Sequence, residues 1–179
     1  MADLGQPISQ LVGNKLETLR QRIIQNIQSA GAVATGKTIQ SIYVERRADG
    51  GALKFHGSMP FGVLETGRKG GKVPMMFSTI IYNWMQTKGI HGLPMPYKTN
   101  RQHKYASAQE RGDWSMASAI ARTIARSGTK LYRDGGRTNI YSNEIPQTVQ
   151  TIREALLQLM KAQVKSIKLN GYNTGGQFQ

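Results

Sequence analysis

The chain has 179 residues, 39% of them apolar, with 24 lysines and arginines against 10 acidic residues and no cysteine. That length suits one domain, and the missing cysteines exclude a disulfide framework and any thiolate metal site. The formal charge of +14 favours contact with something anionic, whether nucleic acid, lipid or an acidic protein surface.

No apolar run approaches the roughly 20 residues needed to span a bilayer. The first residues, Met1-Ala2-Asp3-Leu4-Gly5-Gln6-Pro7, lack the basic-then-apolar pattern of a signal peptide. The expectation is a chain made and folded in the cytoplasm, with no membrane partner. Its cations are spread from Lys15 to Lys168 without a block of five or six. That distribution excludes a basic tail and leaves two readings open: a solvated basic surface, or a surface that faces DNA or an acidic partner.

In chain order, Val12, Leu16, Leu19, Ile23 and Ile27 recur at helical spacing and predict a helix over 8–29, with Gly31 as its terminating glycine. Residues 31–38, Gly31-Ala32-Val33-Ala34-Thr35-Gly36-Lys37-Thr38, match the phosphate-binding pattern G-x-x-x-x-G-K-[ST]. That pattern works when a strand feeds the glycine loop and a helix follows. Here a helix precedes it. None of the four aspartates (Asp3, Asp49, Asp113, Asp134) closes an apolar strand where a magnesium ligand is needed. A P-loop nucleotide triphosphatase is therefore the weakest alternative.

A short helix or turn is expected over 36–41, then a hairpin pairing 41–47 with 52–57 around Asp49-Gly50. A further strand is expected over 61–66, followed by a free, solvent-facing glycine loop, 67–74, with a weak capacity for an anion. Residues 77–87 read as a helix with Phe77, Ile80, Ile81, Trp84 and Met85 on its apolar side. The stretch 89–112 reads as a long irregular insertion, of a length that is functional or disordered. A helix capped by Asp113 or Ser115 runs to Arg126, with Trp114, Ala117, Ile120, Ala121 and Ile124 inward. After a strand-like 138–142, a last helix begins near Asn143, carries Val149, Ile152, Leu156, Leu159, Met160, Val164 and Ile167, and ends at Gly171. Residues 172–179 are a loose tail. The fold class so predicted is α+β: a small antiparallel sheet packed against an N-terminal helix, a central helix and a long C-terminal helix. It forms one domain, 1–179, with its core in 8–168.

Chemistry is sparse. His56, His91 and His103 are far apart and lack metal-ligand spacing. Glu65, the lone acid in an apolar segment, reads as structural, pairing with an arginine or receiving loop N–H groups. Trp84 and Trp114 read as core rather than as stacking platforms. No catalytic, cofactor-binding or metal-binding residue is assigned, and the chain is expected not to be an enzyme.

Three segments carry a family resemblance: Thr35-Gly36-Lys37-Thr38-Ile39-Gln40-Ser41-Ile42, Phe61-Gly62-Val63-Leu64-Glu65-Thr66-Gly67-Arg68, and a Trp114 helix with Ile120-Ala121-Arg122 and Ser127-Gly128-Thr129. In this order, over 8–168, the chain resembles the tail-completion, neck or minor-tail proteins of long-tailed bacteriophages. The stretch 89–112 departs from the family pattern. The resemblance implies a structural virion protein in a homo-oligomeric ring that joins the head connector to the tail around the DNA channel. Its partners would be other neck, connector or tail proteins, with nonspecific contact to packaged DNA. Arg68, Lys69 and Lys72 in the glycine loop and Lys98, Arg101 and Lys104 in the long stretch are the candidate DNA- or partner-facing residues. The long stretch has a second candidate use, embracing a neighbouring subunit and ordering on assembly. The composition leaves a stand-alone nucleic-acid-binding protein as the alternative.

Overall fold

A computed structural model describes residues 5–45, 52–55, 61–97 and 105–166. In order, the elements are α1 (Gly5–Ser29), α2 (Lys37–Gln40), β1 (Ile42–Glu45), β2 (Ala52–Phe55), α3 (Val63–Thr66), α4 (Phe77–Lys88), α5 (Ala108–Ser127), α6 (Lys130–Arg133) and α7 (Glu144–Ser166).

The architecture is mainly helical, which corrects the α+β expectation. Among the described residues the strands are β1 and β2, paired antiparallel with Ile42 opposite Phe55 and Glu45 opposite Ala52. Four-residue strands in a single ladder are too short to form a layer of their own, and β1 instead packs against α1. The expected strand over 61–66 is instead the helical turn α3, and 138–142 is turn structure. Both segments are only five or six residues long, and periodicity cannot separate strand from helix or turn at that length.

Two cores form. In the first, Leu19, Ile23 and Ile27 of α1 bury against Ile42 and Ile140. These are the inward positions of the predicted stripe, so α1 is amphipathic for the reason its spacing gives. Polar links tie the same elements: the Arg20 Nε–H donates to the Ile42 carbonyl at 2.8 Å, and the Asn26 amide to the Ile140 carbonyl at 3.1 Å. α7 packs along α1. In the second core, Ile81 and Met85 of α4 meet Ala117 and Ala121 of α5, whose small side chains allow close helix approach.

The remaining apolar residues of α4 do not all join that core. Ile80 and Trp84 are exposed and line an open groove of about 470 Å³ beside residues 32–36. Trp84 is thus not core as expected. Trp114 is half-buried, stacked on Tyr82 with ring centroids 4.4 Å apart.

The stretch 89–112 is not one irregular insertion. Ser107 caps α5, accepting the Glu110 N–H at 3.0 Å, so the helix starts well before Asp113. Residues 89–97 form a strap across α5, held by Met95 N–H to the Ala108 carbonyl at 2.8 Å and by Arg111, which donates to the Pro96 carbonyl at 3.1 Å and stacks over Tyr97. Gly92 and Gly112 permit this approach, because a Cβ on either would collide with the opposing backbone.

Candidate polyanion-facing surface

The glycine loop begins where α3 ends. Gly67 closes α3 with a φ of 69°, a conformation that suits glycine alone among common residues. From there the loop is fastened by backbone to the end of α5 and the start of α6. The Arg68 N–H donates to the Thr129 hydroxyl and the Thr129 N–H donates back to the Arg68 carbonyl, both at 2.9 Å. The Gly71 N–H donates to the Ala125 carbonyl at 2.7 Å. Gly70 lies so close to the Arg126 carbonyl that a Cβ would meet it at 2.6 Å. The expected free loop is therefore a clamped one.

This clamp gathers cations that are separate in sequence. Arg68 is locked, its guanidinium donating to the Lys72 carbonyl at 2.7 Å and lying over the Phe77 ring. Lys69 and Lys72 are exposed on the loop, Arg122 and Arg126 on the last turns of α5, and Lys130 and Arg133 on α6. Arg122 and Arg126 border a shallow depression of about 300 Å³. Arg126 stands where a cation suits the negative end of the α5 dipole. Asp134 is the one acid on this run of described residues. Other acids are engaged elsewhere: Glu17 with Arg20, Glu144 with Arg22, Glu154 with Gln150, Glu110 at the α5 cap, and Glu65 and Asp113 in buried clamps.

Of the sequence candidates, Arg68, Lys69 and Lys72 come together here, while Lys98, Arg101 and Lys104 lie outside the described residues. Arg122, Arg126, Lys130 and Arg133 are additions that the sequence reading misses. Their signal is the i,i+4 pair at a helix end, followed at once by a second short basic helix.

Glu65 anchors the neighbouring corner. Its Oε1 accepts N–H groups from Ile140 at 2.8 Å, Tyr141 at 2.7 Å and Ser142 at 3.0 Å, and its Oε2 accepts the Ser142 hydroxyl. Burial raises the pKa of this carboxyl, and the Ser142 hydroxyl and three N–H groups outweigh that, leaving it lowered. Glu65 is thus a receiver of loop N–H groups, the structural role expected of it, although it stands on a helix. Asp113 plays the matching part in the strap, accepting from the Gly92 N–H at 2.7 Å, the Gln109 amide at 2.9 Å and the Gln86 amide at 3.1 Å, with the His91 ring nitrogen at 3.2 Å. Burial opposes its ionisation, yet these bonds hold its pKa at about 2. Both carboxylates use their acceptor capacity internally.

The octapeptide 31–38 follows α1, not a strand. The Gly31 N–H bonds the Gln28 carbonyl and the Ala32 N–H the Ile27 carbonyl, a Schellman termination with Gly31 at a φ of 62°. Gly36, at a φ of 75°, opens the four-residue α2. Its neighbours Val33 and Ala34 face the apolar groove with Ile80 and Trp84. These surroundings lack the strand-fed cradle that phosphate binding needs.

Among the described residues no group of three or more His, Asp or Glu could hold a metal ion, and no helix is long and apolar enough to cross a membrane. No family model matches the chain, and neither a curated protein nor a solved structure matches it.

Proposed function

We propose that the chain is a structural component of a tailed-bacteriophage virion, a subunit of a neck or tail-completion ring that joins the head connector to the tail around the DNA channel. The observation that carries this reading is the basic patch: Lys69, Lys72, Arg122, Arg126, Lys130 and Arg133 exposed on a backbone clamp with a single acid among them. A rigid array of uncompensated cations suits a phosphate backbone met without sequence reading, since such contacts position a duplex and release counterions whatever the bases. The order of the three motif segments supports the ring, in which head-to-tail interfaces close on themselves.

Cryo-electron microscopy of purified virions tests the proposal. Density for this chain in a ring at the head–tail junction is the expected result, and virions without the chain would overturn it.

The same patch supports a second reading, a stand-alone nucleic-acid-binding protein. That reading requires the isolated chain to bind duplex DNA at physiological salt, with an affinity that falls steeply as salt rises. The weakest reading, nucleotide hydrolysis, requires ATP turnover that Lys37→Ala abolishes.

A further inference from the structure

The last helix carries a second apolar line that no other described element covers. α7 turns one face to α1, where Thr148 is buried and Ile152, Leu156 and Leu159 are half-buried. About a quarter-turn away, Val149 is 60% exposed, Leu157 47%, Met160 54% and Val164 68%. At about 100° per residue these four fall within about a quarter of the helix circumference, along about 22 Å of axis. Exposed Arg153 sits inside the line, one turn from Val149 and one turn from Leu157. Lys161 and Lys165 stand on its far border with Glu154, which accepts the Gln150 amide at 2.7 Å.

We propose that this line docks an amphipathic helix of a partner protein, one that carries a carboxylate opposite Arg153 and acidic residues along its flank. Exposed apolar residues at helical spacing are the anchors of helix-on-helix recognition. A cation in the middle of such a line decides what lies over it, because covering Arg153 without a carboxylate leaves a desolvated, unpaired charge. A second copy of α7 does not supply one. Glu154 is turned about 100° from Arg153 on the same helix, Glu144 pairs with Arg22, and two chains of charge +14 repel. A membrane surface fits less well, since inserting the line would carry Arg153 into the acyl layer with it. The proposal stands on α7 alone and does not depend on the reading of the basic patch.

The test uses the full chain and a fluorescein-labelled peptide of three heptads, with leucine at a and d, glutamate at one central a position, and glutamate at e and g. A matched peptide with lysine in place of every glutamate is the control. Binding of the glutamate peptide is expected by fluorescence anisotropy, weakened about ten-fold or more by Leu157→Gln with Met160→Gln. Arg153→Glu is expected to abolish it and to confer binding of the lysine peptide. These positions face away from α1, and a thermal melt confirms that each variant is folded. Failure to bind the glutamate peptide, or equal binding of the two peptides, overturns the proposal. A homodimer in sedimentation that Val164→Gln dissolves would assign the line to a second copy and overturn it too. Binding to phosphatidylglycerol vesicles that is lost in the same variant would assign it to a membrane, with the same consequence.

Discussion

Among the described residues, the α1 half of the molecule buries Glu65 and the α4–α5 half buries Asp113, and the two carboxylates are used differently. Glu65 reaches Ile140, 75 residues away in sequence, and takes three consecutive backbone N–H groups and a hydroxyl. The segments it joins contribute Phe61, Leu64, Ile140 and Tyr141 to the core under α1, so the clamp and the core depend on each other. Asp113 works at shorter range, taking one backbone N–H and three side-chain groups within 27 residues. It fastens a strap onto a helix pair that already has its own core. One carboxylate therefore belongs to global folding and the other to local order, a difference in the cooperative unit each one closes.

The sharpest way to break that contrast is Glu65→Ala. Three N–H groups and a hydroxyl are left without their acceptor at once, and a destabilisation of about 3 kcal/mol or more is expected in urea unfolding; a change below about 1 kcal/mol would deny Glu65 its global role. Gly112→Ala comes next, expected to cost about 1–3 kcal/mol because the new Cβ collides with the Leu93 carbonyl. Its effect belongs in the strap, read as faster amide exchange at 89–97.

Asp113→Asn keeps the shape and removes the charge. It is expected to cost about 1–2 kcal/mol, with exchange increased at 89–97 and little changed around α1. Exchange that rises equally in both halves would merge the two units into one.

Acid sharpens the same comparison. The folded pKa of each carboxyl lies below its unfolded value, so the stability it adds is present above the ordinary carboxylate range and is lost as pH falls. For Asp113 the window runs from 3.8 down to about 2. The melting temperature is expected to fall across it, and Asp113→Asn is expected to flatten that part of the profile.

The smallest effect on stability is expected from Arg122→Ala with Arg126→Ala, within about 0.5 kcal/mol. Their expected effect is on DNA instead: weaker binding, with the slope of log affinity against log salt made shallower by about 1 for each phosphate no longer neutralised.

How much of this was legible in the sequence differs between the same two halves. The stripe from Leu19 to Ile27 and the terminating Gly31 were readable because a long amphipathic helix repeats its signal over many turns. Glu65 was readable as a receiver of N–H groups because a lone acid among apolar residues must be satisfied, but its partners at 140–142 were not, since no local rule connects residues so far apart. The start of α5 was written in Ser107-Ala108-Gln109-Glu110, an S-x-x-E capping pattern, but the glycine- and proline-rich composition before it pointed to a long loop. The clamped glycine loop and its gathering of Arg122, Arg126, Lys130 and Arg133 depend on tertiary contact with α5, so composition alone gave a free loop there. The outer line of α7 was in view as one broad apolar stripe, and only the packing on α1 divides it into a covered side and an uncovered one.

One interaction in the strap bears on how this chain tolerates change. The Tyr105 N–H donates to the Tyr97 hydroxyl at 3.3 Å, while Arg111 stacks over the Tyr97 ring and Tyr105 lies against Trp114. The two tyrosines are thus moored both to each other and to the body of the molecule. A change at Tyr97 or Tyr105 is therefore felt at Arg111 and Trp114 of α5, the helix against which both rings rest.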